Sequence, residues 1–253
     1  MIPIKQAEDI SVIAQGGKKL SLVMATLIKE ISAGLNNTAD INTRAEELIK
    51  EAKAEPAFKG YRDYPATICL SINDEVVHGI PAGDKNIAKG DLVSIDIGLL
   101  YRGWYSDMAE SFIYGGAREN KAGEKLISAV REALFLGIKQ AKEGNRVSDI
   151  SRAVQDYVEA KNYGVVRDLV GHGIGRQLHE SPSIPNFISD KPSPALKNGM
   201  TIAIEPMITA GSWRVMTRSD GWTVVTADHK LAAHIERTVA VTAQGPVILT
   251  PFK

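Results

Sequence analysis

The sequence predicts an α+β fold made of two similarly built halves around one core. The first observation is that two amphipathic helical patterns, followed by several short strand-like runs, occur twice along the chain. The second is that no stretch is long or polar enough to separate independent domains. We therefore expect a single domain over residues 1–253, with halves at about residues 1–117 and 118–253. Only the order of elements repeats, because the two halves show no visible similarity in sequence.

The first half is predicted to begin with two helices. Apolar residues recur at helical spacing over Ile10–Ile31 and over Ile41–Ala52, and Thr38 has the type and position of an N-cap for the second helix. The pattern then changes to short apolar runs separated by turn residues. The predicted strands are Thr67–Ile72, Leu92–Leu100 and Ala109–Tyr114.

The second half is predicted to have the same order of elements. Apolar positions at helical spacing indicate a helix over about residues 120–142, and Ser148 is expected to cap a second helix that ends before Gly164. Strand-like runs follow this pair of helices. The predicted strands are Val165–Leu169, Met200–Ile208, Trp222–Thr226, Ala232–Val241 and Val247–Leu249.

The overall composition excludes several classes of protein. The 30 Lys and Arg residues balance the 30 Asp and Glu residues, so the chain has no long-range field to attract nucleic acid or an anionic membrane. The single cysteine, Cys69, excludes an internal disulfide and is typical of a reducing compartment. No apolar run approaches the roughly 20 residues that span a bilayer, and the N-terminal residues lack the pattern of a secretory signal. We therefore expect a cytoplasmic protein that binds neither nucleic acid nor membranes.

The most informative residues are acids in apolar, strand-like runs. Asp96, Glu205 and Glu236 lie within or at the start of such runs, and Asp107 is expected where a strand begins. Since strand side chains alternate between faces, Asp96 shares a small, polar face with positions 94 and 98. A single such acid is most simply explained by a nearby Lys or Arg. For the three strand acids together Arg237 is the only strand-embedded cation, and because an uncompensated buried charge is costly, bound metal is the simpler explanation.

Histidines are the other candidate site residues. His172 and His179 share a Gly-rich segment in which the backbone is expected to turn sharply and approach a ligand closely. Their spacing differs from the His-Glu-x-x-His pattern of helical zinc sites. His78 ends a strand-like run before a Gly-x-Pro turn, a position more typical of a structural histidine. His229 and His234 are interpreted as surface or packing residues.

Taken together, these segments resemble the methionine aminopeptidases, in the short form that lacks a helical insertion. The matching stretches occur in the family's order across nearly the whole chain, which makes the set far more specific than any one motif. They are Ser71–Pro81, Ser94–Gly98, Trp104–Asp107, Gly171–Gly175, Leu178–Glu180, Ile204–Pro206, Asp220–Thr223 and Ile235–Thr238. The resemblance implies the pita-bread fold, with two pseudo-symmetric α+β halves. It also implies one catalytic domain of the bacterial type I form, which has no N-terminal extension.

The resemblance further implies a site for two divalent metal ions per chain. The implied ligands are Asp96, Asp107, His172, Glu205 and Glu236, of which Asp107 and Glu236 would bridge the two ions. Four carboxylates balance the charge of two such ions. Hard oxygen ligands with one imidazole suit Mn, Fe(II) or Co, with Zn as a further option. The implied reaction is attack of a metal-activated water on the first peptide bond of the substrate.

The same resemblance assigns further roles. Glu205 would carry a proton from the water to the leaving amine, His179 would stabilise the oxyanion, and His78 would contact and position the substrate amide. The first side chain of the substrate would bind in an apolar, aromatic pocket. The residues that match the family's pocket are Phe58, Tyr61, Tyr64, Cys69, Leu178 and Trp222. Leu178 stands where some relatives carry an aromatic ring.

The implied substrates are peptides and nascent chains whose initiator methionine precedes a small residue. The ribosome is the expected place of encounter, and a monomer is the expected state. Two alternatives remain open. A proline-specific dipeptidase or aminopeptidase has the same fold, although such relatives usually carry a sizeable additional N-terminal domain. The other alternative is a catalytically silent pita-bread protein that binds partners, but such relatives lose metal ligands, and all five are present in this sequence.

Overall fold

A computed structural model of the chain describes residues 2–190 and 193–252. Within these ranges the helices are α1 (Ala7–Ser32), α2 (Thr38–Glu51), α3 (Lys121–Gln140) and α4 (Val147–Ala160), with a short 3-10 turn at Tyr61–Asp63. In the described ranges no helix combines the length and the apolar character that crossing a bilayer requires.

Fifteen strands accompany the helices in the described part of the chain. The strands of the first part of the chain are β1 (Glu55–Pro56), β2 (Ile68–Ile72), β3 (Glu75–Val77), β4 (Leu92–Tyr101) and β5 (Trp104–Ile113). Those after α4 are β6 (Gly164–Val165), β7 (Gly171–Gly173), β8 (Glu180–Ile184), β9 (Thr201–Ile204), β10 (Met207–Thr209), β11 (Val215–Thr217), β12 (Val224–Thr226), β13 (Ala232–His234), β14 (Glu236–Thr242) and β15 (Gly245–Ile248).

One large sheet brings together strands from distant parts of the chain. It has nine strands in the order β1-β4-β5-β14-β9-β7-β8, with β2 also paired to β4 and β15 to β14. β5 and β14 join its two groups of strands through the register pairs Ala109–Glu236 and Met108–Arg237. Two smaller sheets, β13-β10-β6 and β11-β12-β3, have three strands each.

The helices cover one face of the large sheet. α1 and α2 pack on β2 and β4 through a buried cluster that includes Leu27 and Ile95. α3 and α4 pack on β9 and β14 through a second cluster that includes Leu134 and Ile204. Because strand side chains alternate in direction, the residues next to these core positions point to the face away from the helices.

The helix starts differ from the predicted caps. Asn37 rather than Thr38 caps α2, since the Asn37 side chain accepts hydrogen bonds from backbone N–H groups of the first turn. The Thr38 hydroxyl instead donates to the carbonyl of Ala82. α4 begins at Val147, so the prediction of Ser148 as its cap is also wrong. The loop that packs on α2 supplies the partner of Thr38, and the local sequence does not reveal that contact.

The strands form close to their predicted positions, but several differ in length from the prediction. β2 and β4 lie within one residue of their predicted ends, whereas β5 begins earlier than predicted and includes Asp107. The predicted run Met200–Ile208 is two strands, β9 and β10, separated at Glu205 and Pro206. The run Ala232–Val241 is likewise divided, at Ile235, into β13 and β14. Of the predicted strand 165–169, only its first residue is in β6.

Candidate metal centre

Five neighbouring strands each position one of the acids and histidines predicted as metal ligands. In sheet order these are Asp96 on β4, Asp107 on β5, Glu236 on β14, Glu205 directly after β9, and His172 on β7. Ala109 is the register partner of both Asp96 and Glu236. Ala203 is the partner of both His172 and Thr238. Directly paired residues share a face and strand residues two apart do so as well, so the five side chains all point away from the helices.

Two glycines allow β7 to fit between its neighbours. A side-chain carbon on Gly171 would collide with the backbone of Ala203, and one on Gly173 would collide with the backbone of Ser181. His172, between the two glycines, donates from Nδ1 to the carbonyl of Gly173 at 2.9 Å, which leaves Nε2 directed at the acids. His172 itself therefore lies on a strand, and the turn predicted for the Gly-rich segment follows it, at residues 175–179 between β7 and β8.

The side chains lie at distances suited to shared cations. One ligand atom from each of Asp107, His172 and Glu236 lies within 4.8 Å of the other two. His172 Nε2 is 4.0 Å from Asp107 Oδ2 and 3.5 Å from Glu205 Oε1. The row of five strands thus places acids on both sides of Asp107 and Glu236.

Burial and mutual repulsion control the charges of the cluster. Burial raises the pKa of Asp96 to about 7. The pKa values of Asp107, Glu205 and Glu236 lie well above the usual carboxyl range, because of burial first and of neighbouring carboxylates second. Burial lowers the pKa of His172 to about 4, so its imidazole is neutral and Nε2 has a free lone pair.

The donor set fits divalent metal ions. Asp96 Oδ1, Asp107 Oδ1 and Glu236 Oε1 are buried and have no hydrogen-bond partner within the described residues. In the same part of the chain, the basic side chains close to the cluster's carboxylates are histidines alone, without a Lys or Arg. Buried carboxylates that face one another without a cation are costly, and carboxylates with one neutral imidazole are the ligands that Mn, Fe, Co and Zn ions accept.

His179 and His78 flank the cluster. The ring of His179 lies against His172 with centroids 4.2 Å apart, and its Nδ1 is 2.8 Å from the Tyr61 hydroxyl. Burial, then the nearby His172 and Arg62, lower the pKa of His179, so its ring is neutral. A phenol that donates to Nδ1 leaves the imidazole proton on Nε2. His78 has a φ of 58°, in the left-handed region that non-glycine residues rarely adopt and that often marks functional sites.

A cavity of about 140 Å³ opens beside the cluster. This volume is well below the roughly 300–1,000 Å³ of sites for drug-sized ligands, and it suits a single side chain. Its lining consists of Phe58, Tyr61, Arg62, Tyr64, Cys69, His78, Asp96, His179 and Trp222. Leu178, also predicted for the pocket, is only 2% exposed and packs behind this lining in a cluster with Phe58 and Cys69.

Aromatic contacts and one carboxylate shape the cavity. The rings of Tyr64 and Trp222 meet edge to face at 5.0 Å. Asp220 accepts hydrogen bonds from the backbone N–H groups of Trp222 and Thr223, both at 2.8 Å, and so holds the tryptophan in place. Burial raises the pKa of the Cys69 thiol, which keeps it protonated and suits it to an apolar wall.

The sequence interpretation missed three residues at this site. Arg62 lines the cavity, and Asp220 orients Trp222. His234, interpreted as a surface or packing residue, is 1% exposed, with its Nε2 3.7 Å from Glu205 Oε2. A usable signal existed for His234, because it interrupts an apolar strand-like run just as the acids do. Nothing local distinguishes Arg62 from a surface arginine.

Comparison with known proteins gives consistent similarities. Residues 12–243 match the model of metallopeptidase family M24. The methionine aminopeptidase of Clostridium acetobutylicum is 46% identical over 250 residues, which are 99% of each chain. The crystal structure of a methionine aminopeptidase from Thermotoga maritima is 40% identical, with a TM-score of 0.92 over 99% of each chain.

A proline-specific relative is less similar. The prolidase of Pyrococcus furiosus is 25% identical with a TM-score of 0.77, and the match covers 99% of this chain but 66% of the prolidase. Sequence identity, structural similarity and coverage therefore all place the chain nearer to the two methionine aminopeptidases than to this prolidase.

Proposed function

Since the chain belongs to metallopeptidase family M24, we propose that it hydrolyses the peptide bond after an N-terminal methionine. It is a metal-dependent peptidase with the pita-bread fold, as its sequence predicted. The observation that carries the proposal is the combination of two features: five carboxylate and imidazole groups on adjacent strands, and a 140 Å³ apolar cavity directly beside them.

We assign the binding of two divalent ions to the five groups. Asp107 and Glu236 lie at the centre of the row and would be shared between the ions, with Asp96 on one side and Glu205 and His172 on the other. Bound ions would supply a Lewis acid for the scissile carbonyl and would lower the pKa of a bound water. Manganese, Fe(II) and Co fit this donor set best, and Zn fits as well.

The side chains around the ions would carry the proton transfers and the orientation. Glu205, only 13% exposed at its side chain, would accept a proton from the attacking water and deliver it to the leaving amine. His179 would donate from Nε2 to the developing oxyanion. His78, which lines the cavity on the way to the acids, would contact the substrate amide and fix its position.

The cavity is assigned to the methionine side chain. Its aromatic walls, Phe58, Tyr61, Tyr64 and Trp222, suit an unbranched thioether, since sulfur makes favourable contacts with aromatic rings. Arg62, His78 and His179 lie among its polar lining, and limited space there would favour substrates with a small second residue. A bulky second residue is expected to raise KM and lower kcat together.

The biological substrates would be peptides and nascent chains with an N-terminal methionine. We propose that the protein meets nascent chains at the ribosome, in the cytoplasm, and that it acts as a monomer. Residues 1–253 would form one catalytic domain, in which the segments 1–117 and 118–253 are the two pseudo-symmetric halves. In support, β5 and β14 join strands of both segments in a single sheet, and both segments supply metal ligands to it.

The decisive experiment is release of methionine from Met-Ala-Ser by metal-stripped protein, titrated under anaerobic conditions with Mn, Co, Fe(II) or Zn. We expect turnover that depends on the metal and is lost in Glu205→Gln. The matched control is Glu132→Gln, the same substitution at an exposed position of α3, which should retain full activity.

The same assay separates the alternatives. Turnover of Ala-Pro in preference to Met-Ala-Ser would favour a proline-specific enzyme. If protein that circular dichroism shows to be folded gave no turnover with any metal, this result would contradict the aminopeptidase proposal. It would favour a catalytically silent binding protein.

A further inference from the structure

His234 is a buried histidine that the proposed chemistry does not use. It ends β13 and is 1% exposed. Its backbone is fixed on both sides by Ser111, whose hydroxyl accepts from the His234 N–H at 3.1 Å and donates to the His234 carbonyl at 2.7 Å. The Ser94 hydroxyl lies 2.7 Å from that of Ser111 and completes this hydrogen-bonded chain. The backbone that carries the imidazole is therefore held rigidly by β4 and β5.

The imidazole of His234 is directed at Glu205. Its Nε2 lies 3.7 Å from Glu205 Oε2, while His172 Nε2 lies 3.5 Å from Glu205 Oε1. The carboxylate of Glu205 thus lies between two imidazoles, one at each oxygen. His234 Nε2 is buried and has no hydrogen-bond partner within the described residues, so Glu205 is its available acceptor.

Glu205 lies outside the strands, and a side chain from another segment holds its backbone in place. It follows the end of β9, and Asn186 donates from Nδ2 to its carbonyl at 3.0 Å. Met207, two residues after Glu205, is the register partner of His234. The side chains of Glu205 and His234 therefore face each other beside two interruptions, one between β9 and β10 and one between β13 and β14. The orientation of the Glu205 carboxylate consequently depends on the contacts of its own side chain.

The arrangement distinguishes the two imidazoles that border Glu205. His172 belongs, with Asp107 and Glu236, to the group whose ligand atoms lie within 4.8 Å of one another. Among the described residues, His234 is not part of that group. His172 is thus placed as a ligand, and His234 is placed behind one.

We propose that His234 is a positioning residue for Glu205, which it orients by donating a hydrogen bond from Nε2 to Oε2. This inference rests on the proposed function, because it takes Glu205 as a metal ligand and proton carrier. The bond would fix Oε2 and leave Oε1, on the side of His172, as the oxygen free for the metal site. A movement of roughly 0.5 Å would bring the pair into the range of N–H···O bonds.

The chemistry of the site supports a neutral donor. A neutral imidazole carries a proton on one ring nitrogen and a lone pair on the other, so it can donate a hydrogen bond from Nε2. Within the described residues, the hydrogen bonds recorded for His234 are those of its backbone, so no acceptor competes for the ring proton. Residues that orient metal ligands through such bonds typically change metal affinity or activity about 10- to 100-fold when they are lost.

Two variants separate hydrogen bonding from packing. His234→Gln keeps an N–H donor that reaches toward Oε2, whereas His234→Leu fills the space with an apolar side chain and has no donor. We expect His234→Leu to bind Mn²⁺ about 10- to 100-fold more weakly by isothermal titration calorimetry, and to lose kcat by a similar factor with KM within about two-fold. His234→Gln should restore both quantities to within about three-fold of the original protein.

A spectroscopic measurement on the unsubstituted protein makes the test independent of folding defects. Protein with ¹⁵N-labelled histidine, loaded with Zn²⁺, should show His234 as the tautomer protonated at Nε2, identified by the signal that is absent in His234→Gln. A deprotonated Nε2 would overturn the inference. So would equal metal affinity and kcat in His234→Leu and the original protein, or equal defects in the Leu and Gln variants when both are folded.

These outcomes are distinguishable from failure of the proposed function. The metal affinities and the tautomer are measured without turnover. A protein that binds Mn²⁺ but releases no methionine would therefore contradict the proposed function while the comparison of Leu and Gln variants still decides the role of His234.

Discussion

The buried acids on the two faces of β5 and β14 differ in whether a Lys or Arg of the chain pairs with them. On the face toward the helices, Glu110 of β5 pairs with Arg237 of β14, and its second oxygen is 3.6 Å from Arg131 on α3. On the other face, Asp107 and Glu236 of the same two strands have no Lys or Arg partner among the described residues. Because strand side chains alternate in direction, Asp107 and Glu110, three residues apart on β5, lie on opposite sides of one sheet.

The remaining buried acids follow the pattern of Glu110. Glu75 pairs with Lys85 at 2.6 Å and with Arg218 at 2.7 Å, and Glu180 pairs with Lys5 at 2.6 Å. In the described part of the chain, the acids of the metal cluster are thus the exception. Cations supplied by the chain itself compensate the acids outside the cluster, whereas the acids that we propose as metal ligands are left for ions from solution.

The largest expected effect comes from neutralising an unpaired acid. Glu236→Gln should abolish release of methionine from Met-Ala-Ser, because it removes an oxygen that, in our proposal, both ions would share. In the metal-free protein it should raise the free energy of unfolding by about 1 to 2 kcal/mol at pH 8, since it relieves repulsion among buried carboxylates. Urea unfolding in the presence of EDTA measures this change, and a less stable variant would contradict the comparison.

Neutralising the paired acid should have the reverse consequence. Glu110→Gln leaves the buried guanidinium of Arg237 without its counter-charge, and we expect the free energy of unfolding to fall by about 3 to 5 kcal/mol. The control Glu132→Gln, on the exposed side of α3, should stay within about 0.5 kcal/mol. If Glu110→Gln and Glu236→Gln shifted metal-free stability in the same direction, the distinction between the two faces would be wrong.

Stability should also depend on pH in a way that metal reverses. Asp96, with its pKa raised to about 7, binds more protons in the folded chain than in the unfolded one, where carboxyl pKa values are near 4. Its contribution to stability is therefore full below about pH 4 and is lost as pH rises through 7. His172, with its pKa lowered to about 4, contributes above the unfolded value of about 6.5 and loses that contribution only at lower pH.

The window from pH 6.5 to 8 therefore isolates the carboxylates. We expect the metal-free protein to lose about 1 kcal/mol of unfolding free energy per pH unit across this window. Protein saturated with Mn²⁺ should gain stability over the same range, because ligands must be deprotonated to bind metal. Parallel slopes with and without metal would show that the cluster does not control this dependence.

The smallest expected effect comes from removing the Tyr61 hydroxyl, a polar group that has a hydrogen-bond partner. Tyr61→Phe removes the hydroxyl 2.8 Å from His179 Nδ1 but keeps the aromatic wall of the cavity. We expect kcat to fall about 5- to 10-fold with little change in KM, which corresponds to one hydrogen bond of about 1 kcal/mol. Tyr157→Phe on α4 is the matched control and should leave both constants unchanged. A rise in KM alone would assign the hydroxyl to substrate binding instead.

The sequence predicted those parts of the site that follow from the alternation of strand side chains between two faces. An acid among apolar residues, as at Asp96, indicates both the strand and the face on which the acid lies. The resemblance to the methionine aminopeptidases predicted the fold, the family and the reaction, because its motifs cover nearly the whole chain. Strand order was not predictable by pattern alone, since β14 is placed beside β5 by contacts between residues far apart in the chain.

The features that the sequence did not predict depend on such distant contacts. Thr38 and Asn37 are both good caps, and the carbonyl of Ala82 decides between them by accepting from the Thr38 hydroxyl. The role of Arg62 at the cavity depends on a backbone with φ of 49° that no local residue type requires. His234 interrupts an apolar run as visibly as Glu205 does, yet its neighbour across the fold is needed to interpret it.

The junction between β5 and β14 is held by a reciprocal pair of hydrogen bonds. Thr238 Oγ1 accepts from the Asp107 N–H at 3.0 Å and donates to the Asp107 carbonyl at 2.8 Å, across 131 positions of sequence. Ions shared by Asp107 and Glu236 would act there as a removable crosslink that closes a very long loop. Such a crosslink stabilises the folded chain, because the ions bind the folded site and not the unfolded chain, and it opposes separation of the strands. Metal availability would then set the lifetime of the folded enzyme as well as its activity. In the metal-free protein, the amide hydrogens at the junction of β5 and β14 should therefore exchange first.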